Sequence, residues 1–482
     1  MRDAERAITV KSQIPNPASA KASARLAEAP SARRRPKTPI PTTVAAFLFV
    51  LVLSGWATAE RFGYPPEEFV ARRERLVNVL RAESPEGTVI LFGASGSTPG
   101  VRFRQDHDFY YLTGSEALNA VLVIDVRSGA AHAFMPKLSR TEVQFTGGNW
   151  LDDTDAATKY GFASIQPITA LRAFLTGRNE GMPSQVVWTR LSDRDEIDQA
   201  RSEVATEVRR RRANPFAQQP TEDAARAAAL QAQFPAYAPR DVTPHLDRLR
   251  LIKTPREIEI LRYNGRISAE AMTRAIAAAA PGKYEYELEA EATGWMLKHG
   301  IQTAAYPAIV GSGPMGNQWH YQDNGRQMKA GELVVMDYAG SLDYLTIDIT
   351  RTWPVSGRFT GEQRKAYDDV LDTQRAIIAA IKPGVVRRAI RQIAEDTMRK
   401  HGFDPRNAYT GHYVGLSVHD VGDWNLPFAE GMALAIEPII DMPEQKLHVR
   451  IEDTLLVTAT GVEILSAAAP KEVDGLLALL KR

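Results

Sequence analysis

Asp337 and Asp348 stand eleven residues apart, with Gly340, Ser341 and Asp343 between them. Strand-like runs at 333–336 and 345–352 flank the turn, which reads as a β-hairpin whose arms each bring one carboxylate to the same place. Downstream, GHYVGLSVHDVG (411–422), MALAIEPII (432–440) and HVRIEDTLLV (448–457) offer His412, Glu437 and Glu452 from strand-like or tight-turn sequence. Four carboxylates and one imidazole form a hard, oxygen-rich donor set, suited to Mn²⁺, Co²⁺ or Zn²⁺. Any one of these acids alone would pass as an ordinary solvated charge. The group does not, because Asp348, Glu437 and Glu452 lie among Ile, Leu, Val and Ala, where an unpaired acid is costly.

Charge counting asks for two cations rather than one. Four carboxylates in a water-poor pocket repel one another and push their pKa values up; two divalent ions cancel that charge. Five side chains for two ions require bridging carboxylates, which bring the ions to within about 4 Å. A water held between them loses a proton near neutral pH and becomes a nucleophile. Arg450, two residues before Glu452, shares a strand face with it and is placed to orient a ligand.

The elements that must position these groups repeat. Thr254-Pro255 starts a helix that runs to Pro281-Gly282, and a second helix, 285–298, stops at His299-Gly300. The same punctuation returns at Pro383-Gly384 and His401-Gly402, offset by 102 residues in both cases. The acids follow: Asp337 and Glu437 are offset by 100, Asp348 and Glu452 by 104. This predicts an internal duplication, each half giving outer helices, an inner sheet and two carboxylates to a site on a pseudo-twofold axis.

Ahead of this half, residues 60–193 alternate a helix (66–82) with short apolar strands (87–94, 119–126, 131–135, 185–190), which predicts a mixed α/β domain. The stretch 102–114, RFRQDHDFYYLTG, concentrates charge and aromatic rings. It reads equally as a structural charge network with buried tyrosines and as a substrate contact. Residues 194–240 read as a connector: a solvated helix pair around a Pro/Gln loop, whose basic run at 209–212 is balanced by nearby acids.

Composition sets the outer limits. At 482 residues the chain has length for two or three domains. A net charge of +1 gives no reason to invoke nucleic acid, and the absence of cysteine excludes disulfides and thiolate metal sites. Residues 1–42 are rich in Ala, Ser, Arg and Pro; ten apolar residues follow at 44–53, then Ala57-Thr58-Ala59. Ten is too short to span a bilayer, which takes about 20 residues. The pattern predicts an export signal cleaved after Ala59, hence a secreted or periplasmic protein, membrane-tethered only if uncleaved. The alternative for the apolar run is a buried N-terminal helix.

The order of motifs, Asp337 to Asp348 in DITRTWPV, then HYVGLSVHDVG, IEP and RIED, resembles the metallopeptidases of the aminopeptidase P, prolidase and methionine aminopeptidase group. The stretch 102–114 is similar to the aminopeptidase P version. The resemblance implies a C-terminal pita-bread catalytic domain over 245–475, after a smaller mixed α/β domain over 60–240 that covers the mouth of the site; the leader over 1–59 is read from its own pattern. It further implies that Asp337 binds one metal, His412 and Glu437 the other, and that Asp348 and Glu452 bridge both. Glu437 would accept and shuttle a proton, while His320 and His419 would bind substrate and stabilise an oxyanion.

One departure is Ala408, at a position four residues before His412 where longer aminopeptidase P enzymes often carry histidine; another is the short 15-residue gap from Glu437 to Glu452. The expectation is an Xaa-Pro aminopeptidase with two ions, manganese first and Co²⁺ or Zn²⁺ as alternatives. Its partners would be peptides with proline second, and it would assemble as a homo-oligomer, a dimer or tetramer. The alternatives are a prolidase acting on Xaa-Pro dipeptides and a non-catalytic peptide-binding module.

Overall fold

The apolar runs TVILF and VLVID form strands Thr88–Phe92 and Val121–Asp125, paired antiparallel with Val89 opposite Ile124. They sit at the centre of a six-stranded sheet in the order Ser164–Pro167, Ala131–Met135, Val121–Asp125, Thr88–Phe92, Gln185–Thr189, Tyr237–Asp241. Val121–Asp125 also pairs antiparallel with Ala131–Met135, and the other three pairings are parallel. Helix Pro66–Glu83, started by proline and acidic residues in its first turn, buries Leu76, Val77 and Leu80 against Val89, Leu91 and Leu122. This computed structural model describes residues 63–96, 102–179, 185–405 and 408–480. The export signal and leader expected over 1–59 lie outside the described residues.

The connector holds two helices, Arg201–Arg212 and Glu222–Gln233, but it is not simply solvated. Leu230 of the second packs in the core beneath the sheet, and the chain returns to the sheet as Tyr237–Asp241. The first turn of Arg201–Arg212 enters a buried ionic network. Arg201 and Arg250 both reach Asp108 and Asp195, and Arg250 also binds Asp420 at 2.7 Å. Sequence reading missed this because a flanking acid or arginine looks the same whether its partner is water or a distant chain segment.

That network decides how the stretch 102–114 is used. His107 Nδ1 lies 2.8 Å from Asp195, and Asp108 is fully enclosed by arginines. Arg104 donates to the carbonyls of Tyr344 and Leu416. Its charge thus locks the first sheet region to the segments bearing Asp348 and His419, each buried ion having partners as burial demands.

In the second half, the helix pair Pro255–Ala278 and Glu285–Lys298 recurs as Gly361–Ala380 and Arg387–Lys400. Thr254 and Thr360 cap the first helix of each pair through capping boxes. Strand Leu333–Asp337 pairs antiparallel with Thr350–Pro354, as Ala433–Ile436 does with Asp453–Val457. The acids therefore occupy equivalent places. Asp337 ends its strand and Glu437 directly follows the matching one; Glu452 immediately precedes one partner strand and Asp348 lies two residues before the other.

The expected hairpin is more broken than its sequence implies. Its second arm splits: Leu345–Thr346 pairs with Gly340–Leu342 around a tight turn at Asp343 and Tyr344, both with positive φ. Asp348 sits in the gap before Thr350. Its amide donates to Thr454 Oγ1 at 2.9 Å and its carbonyl accepts from that hydroxyl at 2.8 Å. A side chain from the other half thus takes the place of a ladder partner, and frees the backbone there to turn the carboxylate inward.

Candidate metal centre

Strand ends from both halves deliver the five predicted donors to one buried spot. His412 Nε2 lies 3.3 Å from Asp348 Oδ2, 3.3 Å from Glu437 Oε1 and 3.7 Å from Glu452 Oε1. Asp337 joins through a second set: Asp337, Asp348 and Glu452 each offer an oxygen within 4.8 Å of the others. The same separation holds for His412, Glu437 and Glu452, so Glu452 belongs to both clusters, and Asp348 of the first lies 3.3 Å from His412 of the second. All five are buried.

Two supports were absent from the sequence reading. Tyr306 puts its hydroxyl 2.6 Å from Asp337 Oδ1 and 2.5 Å from Asp348 Oδ1. Thr350 Oγ1 donates to Glu452 Oε2 at 2.8 Å. Tyr306 carries no motif, lying 31 residues before Asp337 in an apolar run; only the fold brings it in. Arg450 was anticipated: its Nη2 lies 3.0 Å from Asp337 Oδ2.

Electrostatics register the crowding. Burial and the charge of Asp348 push the Asp337 carboxyl up to about 8, against the pull of Arg450. Burial and the charges of Asp348, Glu437 and Asp337 hold Glu452 well above the carboxylate range. Burial also works against Asp348, but hydrogen bonding and charge from His412 keep it low. His412 is raised in return: burial draws it down, and Asp348 and Glu437 more than offset that. Glu452 Oε1 is buried without a hydrogen-bond partner among the described residues. An orphaned carboxylate oxygen inside a set of hard donors fits a divalent cation.

Of the two other predicted histidines, the structure brings His419 into contact with the cluster and leaves His320 at its margin. His419 stacks edge-on against His412, ring centroids 4.3 Å apart, and brings a nitrogen within 4.8 Å of donor atoms of Asp348 and His412. Its Nδ1 meets Glu203 of the connector at 2.9 Å, a contact no motif announced. His320 is exposed, within electrostatic range of Arg450, His419 and Glu437. Ala408 is buried.

With this geometry in view, comparison with known proteins is specific. Residues 259–459 match the model of metallopeptidase family M24, and residues 69–188 that of the aminopeptidase P N-terminal domain. The Xaa-Pro aminopeptidase of Escherichia coli (strain K12) is 30% identical over 459 residues, covering 86% of this chain and 98% of that protein. The chain belongs to the aminopeptidase P family. Mouse Xaa-Pro aminopeptidase 3 is similar at 29% identity, covering 87% of each chain. The solved structure of E. coli aminopeptidase P with the inhibitor Pro-Leu superposes with a TM-score of 0.72 at 27% identity, covering 86% of this chain and 98% of that one. Proline aminopeptidase P II from Yersinia pestis gives 0.73 at 27%, covering 86% and 99%. The expected fold, a mixed α/β domain before a pita-bread metallopeptidase domain, is therefore the fold of this family member.

Proposed function

We propose that this chain is an Xaa-Pro aminopeptidase whose Asp337, Asp348, His412, Glu437 and Glu452 hold two divalent cations, manganese being the first candidate. The observation that carries this reading is the convergence of three buried carboxylates on the His412 imidazole, with Asp337 joined to two of them and Glu452 Oε1 without a hydrogen-bond partner among the described residues. Like charges gathered this closely are unfavourable until cations neutralise them. The names of the relatives support the substrate class: a peptide with proline in its second position.

Bound cations supply charge neutralisation, a polarised substrate carbonyl and an activated water near neutral pH. The protein's own groups do the rest. Arg450 fixes the rotamer of Asp337, Thr350 that of Glu452, and the Tyr306 hydroxyl spans Asp337 and Asp348. Glu437 accepts a proton and passes it to the leaving nitrogen. His320 and His419 position the substrate and meet the negative charge that develops on its carbonyl oxygen.

The same reading includes export, supported by the signal-like residues 44–59, and assembly as a dimer or tetramer, supported by the family resemblance alone. Among the described residues, no helix is long and apolar enough to cross a membrane.

The deciding experiment compares an Xaa-Pro-Pro tripeptide with an Xaa-Pro dipeptide after chelation and reloading with Mn²⁺, Co²⁺ or Zn²⁺. Release of the first residue from the tripeptide supports the aminopeptidase. Activity confined to the dipeptide transfers the assignment to prolidase, whose human form is 25% identical to this chain. Asp348→Ala with unchanged turnover and metal content would remove the site altogether.

A further inference from the structure

We infer that Glu203, on the first turn of connector helix Arg201–Arg212, is a positioning residue for His419, so that the connector forms part of the active site. The inference rests on the aminopeptidase reading above and adds a residue that no metal-ligand pattern contains. Both Glu203 carboxylate oxygens lie 2.9 Å from His419 Nδ1. A carboxylate at this distance only accepts, so Nδ1 carries the hydrogen and Nε2 is the ring nitrogen left for the site. The ring also stands edge-on to His412 at 4.3 Å, which fixes its second face.

Glu203 is itself held. Its Oε2 accepts from the Ala200 amide at 2.7 Å, closing the N-terminal turn of the helix. The adjoining Arg201 is anchored to Asp108, Asp195 and Asp247. The segment before the helix bonds directly to the loop bearing His419: the Val418 amide donates to the Ile197 carbonyl at 2.7 Å. One residue further back, Ser417 Oγ donates to Asp195 at 2.5 Å. The loop and the helix turn are therefore clamped together just ahead of the Glu203–His419 bond, a geometry that transmits the position of the connector to an imidazole at the metal cluster.

The test is a double-mutant cycle on the metal-loaded enzyme, measured with the tripeptide. Glu203→Ala is expected to lower kcat about 10-fold or more, in the range found when a hydrogen-bond partner behind a site residue is removed. KM and metal content are expected to stay within about twofold. Glu203→Gln keeps both an acceptor for Nδ1–H and the helix cap, and is expected to retain most of the rate. In a His419→Ala background, Glu203→Ala should cost nothing further, because the group it positions is gone. An unchanged kcat in Glu203→Ala, the same loss in both backgrounds, or an equal loss in Glu203→Gln and Glu203→Ala would each overturn the inference. A wild-type enzyme inert toward the tripeptide would instead overturn the parent reading, and is seen before any variant is made.

Discussion

The Arg450 guanidinium stands 3.0 Å from Asp337 Oδ2, across two strands that come from opposite halves of the duplicated scaffold. It is fully buried, and it is the cation that most strongly opposes the upward push on Asp337. Its strand, Leu447–Arg450, ends at Arg450 itself, and Glu452 follows two residues later, just before strand Asp453–Val457. One helps hold an acid of the first half while the other is itself a donor.

Replacing Arg450 by alanine therefore leaves Asp337 held, among the described residues, by the Tyr306 hydroxyl alone and removes the cation that opposes its protonation. Metal affinity or turnover should fall about 10- to 100-fold, the usual scale for loss of a group that orients a ligand. Lysine should restore only part, since it is a point charge without the guanidinium fork. Chelator titration with metal analysis, beside steady-state rates, reads both quantities; full retention in the alanine variant would separate Arg450 from the metal centre.

Function at this cluster comes at the expense of stability in the metal-free protein. Glu452 is buried, held well above the carboxylate range, and has one oxygen without a hydrogen-bond partner among the described residues. Glu452→Gln removes a charge that the metal-free fold tolerates poorly. The metal-free variant should melt a few degrees above metal-free wild type, yet gain little from added metal. Wild type should gain about 2.7 kcal/mol at a metal concentration 100 times Kd. Thermal melts with and without Mn²⁺ check both halves of the statement.

Much of this centre was legible because a duplicated chain writes its pattern twice. The offset between Asp337 and Glu437 and that between Asp348 and Glu452 match equivalent strand ends in the structure. What stayed hidden were groups whose importance exists only in three dimensions. Tyr306 sits in an ordinary apolar run, and Glu203 sits in a charge-rich helix that looks solvated. The broken second arm of the hairpin was hidden for a related reason. Local β-propensity is high through 345–352, but Thr454 from the other half supplies the hydrogen bonds that let Asp348 leave the ladder.

Gly411 shows how tightly the His412 strand is seated. Its φ is +103°, and a Cβ there would overlap the Ala435 carbonyl oxygen. Gly411→Ala must shift strand His412–Tyr413 away from Ala433–Ile436, the strand that leads into Glu437. Backbone strain and lost pairing together should cost about 1–3 kcal/mol, and metal affinity should fall with them because both donors move. Denaturant unfolding and metal content are the paired measurements; a stable variant that lost no metal would contradict the packing described.

Away from the site, Asp369 sets a pH dependence that needs no metal. It is buried on helix Gly361–Ala380, and neither of its carboxylate oxygens has a hydrogen-bond partner among the described residues, although His401 Nδ1 lies 3.5 Å away. Burial, and then the charge of Asp372, push it up to about 7, against about 3.9 in an unfolded chain. The folded state therefore holds more protons than the unfolded one between roughly pH 4 and pH 7. Its contribution to stability is whole below pH 4 and is lost as pH rises through 7. Asp369→Asn cannot ionise, so it should be more stable than wild type above pH 7, by about 1–3 kcal/mol, the scale of an uncompensated buried polar group. The difference should close as pH approaches 4. Urea unfolding at pH 4.5, 6 and 8 measures it, and a gap that is constant or widens toward acid would show that Asp369 is ionised and paired in the folded protein.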